Sequence, residues 1–352
     1  MIKQAYPPVR HHGGMTDTNT QILLRARPVG EPTAEDFSIV TSEVPAPAEG
    51  EVLLRTKFLS LDPYMRGRMS DAPSYAAPTA LGDVLPGATV AEVVESKDPS
   101  RQVGDVVLAY GGWQAFSVAP AKHTRRLDPS LAPVSTALGV LGMPGFTAYA
   151  GLTQIGQPKP GETVVVAAAT GPVGATVGQI AKILGCRAVG IAGGPEKVAH
   201  LNELGFDAAL DHRAPDFKEQ LKAAVPDGID VYFENVGGHV WNAVLPRLNK
   251  FARVPVCGIV AHYNDTAAPE GPDRAPGLMR HVLNKSLLIR GFIQDEFVRD
   301  HQQTFLTEAA GWLADGKLRY REDITDGLEN APAAFNRMLR GQNFGKTVIK
   351  VS

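Results

Sequence analysis

Residues 163–185 read TVVVAAATGPVGATVGQIAKILG, and this stretch decides the fold. Thr163 to Val166 is a β-branched run of the kind that is buried on both faces of a sheet. A glycine-bearing turn follows. Beyond it, Val173, Val177, Ile180, Ile183 and Leu184 fall on one face of a helix, which Gly185 closes as a C-cap. The turn Ala169-Thr170-Gly171-Pro172-Val173-Gly174 departs from G-x-G-x-x-G by carrying Ala at the first position. Gly171 and Gly174 have no side chains, so backbone N–H groups can approach a pyrophosphate, and the helix N-terminus adds partial positive charge. Pro172 suits the first turn, where its missing N–H costs nothing. A plain structural strand-to-helix turn produces the same run, so the motif alone is weak.

The next strand, Arg187 to Ala192, sharpens the reading. An NAD-binding chain places Asp or Glu at its end to hold the ribose 2′-hydroxyl. Here the chain continues Gly193-Gly194-Pro195-Glu196-Lys197, with no acid ending the strand. A small turn followed by a lysine offers room and a cation for a 2′-phosphate, so NADP is expected over NAD. The alternative is that Lys197 is a solvated helix lysine. Further on, Pro195 to Leu204 reads as a helix with Gly205 past its end. Ala208 to Asp211 is a strand, and Asp216 with Glu219 reads as a capping box. Ile229, Val231 and Phe233 alternate in another strand, and Phe251–Val260 and Ser286–Ile293 add two more. His262 to Gly277, rich in Pro, Gly, Asp and Ala, reads as one long loop. Strand and helix alternate over about 150 residues, the pattern of a doubly wound parallel sheet.

Toward the N-terminus the style differs. Gln21 to Leu138 consists of short β-segments with frequent turns and no helix of ten residues. Val52, Leu54 and Phe58 alternate with Arg55 and Lys57 in Glu51–Leu61, and Thr89–Val94 and Val106–Tyr110 are further strands. This half reads as an antiparallel barrel or sandwich. After a helix near Asn330–Leu339, the strand Lys346–Val351 is expected to rejoin it, which makes the α/β part an insertion. The expected division is 20–138 with 315–352 for the β domain and 139–314 for the α/β domain. Residues 1–19 read as a flexible leader, and His11-His12 as only a weak metal pair.

Composition narrows the function classes. The 352 residues include 35 Lys and Arg against 37 Asp and Glu, a net charge of −2, so nothing argues for nucleic acid or an anionic membrane as partner. The two cysteines, Cys186 and Cys257, form no CxxC and cannot build a four-cysteine zinc lobe or a multi-disulfide scaffold. No uninterrupted apolar stretch of about 18 residues suggests a membrane span. Met1 to Gly14 lacks the apolar core of a signal peptide. The expected compartment is a reducing, cytoplasmic one. There is no H-E-x-x-H, no G-x-S-x-G and no His/Cys cluster. With a hydride carrier present, the protein has to supply only orientation and electrostatics.

Six motifs occur in order: Asp62-Pro63-Tyr64-Met65-Arg66-Gly67, Gly142-Met143-Pro144-Gly145-Phe146-Thr147-Ala148-Tyr149, the Gly171 turn, Gly193-Gly194-Pro195-Glu196-Lys197, Glu234-Asn235-Val236-Gly237-Gly238 and Asn343-Phe344-Gly345-Lys346-Thr347. Together they closely resemble the zinc-independent medium-chain dehydrogenase/reductases, in the branch of prostaglandin, alkenal/one and curcumin reductases. The resemblance implies a Rossmann sheet inserted into a GroES-like β-barrel, with NADP in the cleft. Zinc-dependent relatives carry a Cys ligand and Gly-His-Glu in the first domain, whereas no cysteine precedes Cys186 here, so no metal site is expected. By the resemblance, Gly171, Pro172, Val173 and Gly174 bind the pyrophosphate and Lys197 the 2′-phosphate. His212 stands where many relatives have Tyr beside that phosphate. Asn235 lies near the ribose, and Cys257, Gly258, Ile259 and the run through His262 to Tyr263 line the nicotinamide half. Phe292, Ile293 and Gln294 approach from a late strand and Asn343 from the C-terminal segment. Met143 floors the pocket, or is a plain core methionine. A homodimer through the Rossmann sheet edge is implied as well.

The chemistry implied is NADPH-dependent reduction of the C=C bond of an apolar α,β-unsaturated ketone or aldehyde at its β-carbon. Negative charge then builds on the carbonyl oxygen and needs a donor. Tyr263, with the cofactor ribose, matches that role, and Tyr64 is a second candidate, unless it is a packed structural tyrosine. Phe146, Tyr149, Phe292 and Phe297 are expected around the substrate. The rivals are quinone reduction on the same scaffold and a non-catalytic NADPH-binding sensor. Alcohol dehydrogenation is disfavoured, because neither a zinc-ligand set nor a Tyr-x-x-x-Lys is present in the α/β region.

Overall fold

The computed structural model describes residues 18–267 and 271–352. Strands β1 (Thr18–Leu24) and β2 (Phe37–Glu43) pair antiparallel as a sheet of their own. A second sheet is built from β3 (Glu51–Ser60), β4 (Thr89–Ser96), β5 (Val106–Ala109), β6 (Phe116–Pro120) and β7 (Arg125–Arg126), with the short helix α1 (Met65–Arg68) after β3. The chain then enters α2 (Met143–Ala150), β8 (Thr163–Ala167), α3 (Pro172–Ile183), β9 (Arg187–Ala192), α4 (Pro195–Glu203), β10 (Ala208–Asp211) and α5 (Phe217–Ala224). It continues with β11 (Ile229–Phe233), α6 (Gly238–Val244), β12 (Leu248–Val256), α7 (Ala275–Lys285), β13 (Leu288–Gly291) and α8 (Asp295–Ala314). Strand β14 (Glu322–Asp326), helix α9 (Ala331–Leu339) and strand β15 (Lys346–Lys350) complete it.

The order β10-β9-β8-β11-β12-β13 is a parallel Rossmann sheet whose strand order reverses at β8. The β-branched run behaves as its composition requires. Val164 and Val166 pack on one face with Val177, Ile180, Phe233 and Phe305, and Val165 packs on the other with Ile191, Tyr232 and Val254. Both faces are dry, which suits the apolar run Val164–Ala167. β15 returns to pair antiparallel with β3, Val348 opposite Ser60, so the doubly wound unit is inserted into the GroES-like β domain.

Several local expectations need correction. Thr18 and Asn19, read as leader, belong to β1, and Asn19 is buried, with its Oδ1 accepting from the Phe116 N–H at 2.8 Å. Residues 1–17, including His11 and His12, lie outside the described residues. Asp216 forms no capping box. Its carboxylate accepts instead from the Gln220 amide at 2.8 Å. β12 ends at Val256, because the Cys257 and Gly258 N–H groups turn to the Glu234 carbonyl at 2.9 and 3.2 Å. Ser286 adopts φ 50 as the C-cap of α7, so β13 begins only at Leu288. Gly277 lies inside α7, which shortens the irregular stretch expected up to that residue.

Candidate active site

A cleft of about 420 Å³ lies between the Rossmann sheet's carboxyl edge and the β domain. This is the switch point at which open α/β sheets bind ligands. Its centre is the turn between β8 and α3. Ala168 takes a left-handed conformation (φ 50), Gly171 N–H donates to Ala168 O at 2.9 Å, and Ala169 N–H to Ile191 O at 3.0 Å. The two glycines serve different ends. A Cβ on Gly174 would stand 2.4 Å from Ala168 O and 2.7 Å from the Ala169 Cα, so this glycine lets α3 press against the strand end. A Cβ on Gly171 would meet only Ala168 O, at 3.3 Å, so the outer face of the turn is left open. Pro172 and Val173 continue the cleft wall into the first turn of α3, whose N–H groups have no intrahelical acceptor. The turn therefore fits a diphosphate.

At one end of the cleft are cations. Lys197, in the first turn of α4, donates to Gly341 O at 2.7 Å and keeps two N–H bonds to offer. Burial, reinforced by Arg213, lowers its pKa, against the pull of Asp323 and Glu196. Glu196 is exposed. The Asp211 carboxylate accepts the Gly194 and Arg213 N–H groups, both at 2.9 Å, and thereby fixes this turn. His212 and Arg213 both face Gly193. A Cβ there would stand 2.8 Å from His212 Nε2 and 2.9 Å from Arg213 Nε. Sequence reading passed over Arg213. Its signal was its place directly after His212, beyond the strand that neighbours β9.

At the other end are tyrosines. Tyr263 ends a short 3-10 turn over Val260–His262, and its phenol oxygen lies 2.9 Å from where a Cβ on Gly258 would be. Burial, then Cys257 and Tyr75, raise its pKa, so the phenol stays protonated at neutral pH. Tyr64 opens α1, and burial followed by Asp62 raises its pKa as well. Asp62 is itself held by a buried ion pair with Lys346 at 2.6 Å, and Lys346 also donates to Leu61 O at 2.6 Å. Strand β15 thus clamps the loop that carries Tyr64. The Arg66 guanidinium bonds Asn264 Oδ1 at 3.0 Å and Gly30 O at 2.8 Å, tying the segment after Tyr263 to the β domain.

Between the two ends, Asn235, Cys257, Gly258, Phe292, Ile293, Gln294, Asn343 and Met143 line the cleft. Asn235 donates to Ala167 O at 2.8 Å and braces β11 against the end of β8. Asn343 donates to Gly345 O at 3.0 Å within its own turn. Burial, with Glu234 nearby, pushes the Cys257 thiol up to about 12, so it stays an inert thiol. The buried Glu234 accepts the Val236 and Gly237 N–H groups at 2.6 and 2.9 Å and the Tyr232 hydroxyl at 3.2 Å. It shapes the wall without reaching into the cleft.

Some expected residues lie elsewhere. Ile259 is turned away from the cleft toward Gly237 and solvent, and Val260 and Ala261 take its place in the wall. His262 pairs with Asp265 at 2.7 Å instead of lining the nicotinamide half. Phe146 and Tyr149 pack on Phe305, and Phe297 on Phe292, so they support the site from the core. Tyr75, which sequence reading missed, lies at the cleft mouth with the Arg68 guanidinium 4.4 Å from its ring.

Two family models match the chain, "N-terminal domain of oxidoreductase" over residues 20–127 and "Zinc-binding dehydrogenase" over residues 172–306. Among the described residues, no three His, Cys, Asp or Glu side chains come together in a way that could hold a metal ion. The chain is 56% identical to an NADPH-dependent curcumin reductase of Escherichia coli (strain K12), over 97% of this chain and 99% of the relative. It is 45% identical to prostaglandin reductase 1 of Oryctolagus cuniculus, over 90% of this chain and 89% of the relative. The crystal structure of CurA in complex with NADPH from Vibrio vulnificus superposes with a TM-score of 0.92 at 52% identity, covering 95% of this chain and 99% of that one.

Proposed function

The chain belongs to the zinc-independent medium-chain dehydrogenase/reductases, and on that premise we propose that it is an NADPH-dependent reductase of the C=C bond of α,β-unsaturated ketones and aldehydes. One observation carries this reading. A single cleft has a glycine turn at its centre, cations at one end and protonated phenols over an apolar floor at the other. The names of the relatives supply the reaction class.

The division of labour follows from the residues. Gly171 and the first-turn amides of α3 hold the diphosphate. Lys197, Arg213 and His212 receive the 2′-phosphate, and Cys257, Gly258, Phe292, Ile293 and Gln294 with Met143 wall the ring at the reacting end. Asn235 and Asn343 hold the backbone around the sugar. When bound, NADPH would supply the hydride for the substrate's β-carbon, and a proton from Tyr263, the ribose hydroxyl or solvent water would complete the saturated ketone at the α-carbon. The chain's own task is the carbonyl oxygen, where charge develops. Tyr263 donates its phenol proton as a hydrogen bond to that oxygen or to the ribose hydroxyl that contacts it, and Tyr64 contacts the same carbonyl from the β-domain side. Both phenols keep their protons because burial disfavours the phenolate. Tyr64 has a further reason, the neighbouring Asp62 carboxylate.

We place the domain boundaries at 138/139 and 314/315. We also propose a homodimer. Strand β13 is one of the two edges of the Rossmann sheet among the described residues, Leu288 on it is 49% exposed, and α7, packed on the neighbouring β12, buries none of its residues, with Leu283 78% exposed. An exposed apolar edge of this kind is otherwise an aggregation liability. Light scattering is expected to give twice the chain mass, and a monomer for Leu288→Glu.

The test of the reaction is turnover of a simple alkenone and a simple quinone side by side with NADPH and NADH. The reading requires NADPH consumption with the alkenone and a saturated ketone as product. Quinone turnover without alkenone turnover supports the quinone-reductase alternative. NADPH binding without consumption supports a sensor.

A further inference from the structure

We infer that His239 is a positioning residue for cofactor choice, because it fixes His212 in the tautomer that turns an N–H toward the phosphate end of the cleft. The geometry is specific. His212 Nδ1 lies 3.1 Å from His239 Nε2, and the rings are 5.1 Å apart. The same His239 Nε2 lies 3.3 Å from the backbone carbonyl oxygen of His212. A carbonyl oxygen can only accept, so His239 Nε2 carries a proton and shares it between the carbonyl and His212 Nδ1. His212 Nδ1 is therefore an acceptor. The single proton of neutral His212 then sits on Nε2, the nitrogen that faces Gly193 in the cleft wall. His212 is neutral at neutral pH, because burial, with His239 and Arg213 nearby, holds it below the ordinary imidazole value.

The alternative tautomer would reverse the outcome. With its proton on Nδ1, His212 would present a lone pair toward the anion that Lys197 and Arg213 attract. Fixing a ring's tautomer through its other nitrogen is the device by which outer partners orient metal-bound and catalytic histidines. Phe217, edge-on to His239 with ring centroids 6.4 Å apart, helps hold the ring in place. His239 itself does not line the cleft. It acts on the ligand only through His212.

This inference rests on the NADPH reading, and the experiment separates the two. The probes are 2′,5′-ADP and 5′-AMP by calorimetry, and NADPH and NADH by fluorescence titration. Proteins compared are the native chain, His239→Phe, His239→Gln, His212→Tyr and the double variant His212→Tyr/His239→Phe. Losing one hydrogen bond of this kind corresponds to about a 5–10-fold weakening. His239→Phe is expected to weaken 2′,5′-ADP and NADPH by that factor, with 5′-AMP and NADH unchanged, which also reports an intact fold. His239→Gln, which keeps an amide N–H to donate, is expected to restore the native values. On the His212→Tyr background, His239→Phe is expected to add nothing, since a phenol hydroxyl needs no tautomer partner. Native affinity for 2′,5′-ADP in His239→Phe, or parallel losses for 2′,5′-ADP and 5′-AMP, overturns the inference alone. A native protein that does not distinguish 2′,5′-ADP from 5′-AMP overturns the NADPH reading and the inference with it.

Discussion

Replacing either glycine of the β8–α3 turn by alanine is the same chemical change in one short loop, and the structure predicts opposite consequences. At Gly174 the added methyl would lie 2.4 Å from Ala168 O and 2.7 Å from the Ala169 Cα. Both obstacles are backbone, so no rotamer change relieves them. The helix has to retreat by about 1 Å, and overpacking of that size costs about 1–3 kcal/mol. In a chain this long that amounts to a melting temperature lower by roughly 1–4 °C. At Gly171 the backbone is extended (φ −73, ψ 166), which alanine adopts freely, and the sole close atom is 3.3 Å away. Stability should stay within about 0.5 kcal/mol. The methyl would, however, stand where a diphosphate must approach the backbone, so the NADPH dissociation constant should rise at least about tenfold, or 1.4 kcal/mol. Thermal unfolding of the ligand-free variants and fluorescence titration with NADPH measure the two effects separately. Native NADPH affinity in Gly171→Ala would refute the placement of the diphosphate. A Gly174→Ala protein as stable as the native one would refute the close helix–strand approach.

Four other outcomes follow from the same geometry. Tyr263→Phe should lower kcat on an enone by about 10²-fold, as for loss of one oxyanion donor, with NADPH affinity nearly unchanged; because burial raises the phenol above its ordinary value of 10.0, the native pH–rate profile should show no alkaline limb from Tyr263 below that pH. Lys197→Ala should weaken NADPH by about tenfold or more, the worth of a charge-assisted hydrogen bond, and leave NADH as it was; equal losses for both would undo the 2′-phosphate assignment. Ala168→Gly should stabilise the protein by up to about 1 kcal/mol in thermal unfolding, since it relieves a left-handed residue that bears a Cβ. Lys346→Met should cost about 3–5 kcal/mol by leaving the Asp62 carboxylate buried and unpaired, and adding Asp62→Asn should recover most of that loss.

The Rossmann half was legible because its signals are local. A β-branched run, a glycine turn and one apolar helix face sit within 23 contiguous residues, and β8 and α3 formed where they pointed. The ends of strands were less legible because distant groups set them. β12 stops at Val256 because the Glu234 carbonyl captures the next two N–H groups, and nothing near Val256 announces that. Helix α8, the longest in the described chain, went unread although Phe305, Ala309 and Trp312 recur at helical spacing on the buried side. Its interruption by charged residues on the solvent face hid the pattern.

The site divides in the same way. Gly171 and Lys197 were proposed from motifs that carry their own chemistry and Tyr263 from the family resemblance, and all three line the cleft. Arg213 and His239 were not, because their nearness to Gly193 and His212 is made by the parallel pairing of β9 with β10 and by the seating of α6. Aromatic residues were over-assigned for the converse reason. Phe146 and Tyr149 have the right type for a substrate wall, and only the position of α8 shows that they face Phe305 instead.

Isotope transfer from 4-deuterated NADPH to a simple alkenone puts the whole proposal at stake in one product. With the transferable deuterium on the reduced ring, the product should be the saturated ketone carrying one deuterium on the former β-carbon and an intact carbonyl. Deuterium on the carbonyl carbon, as an allylic alcohol, or a product free of deuterium would contradict it.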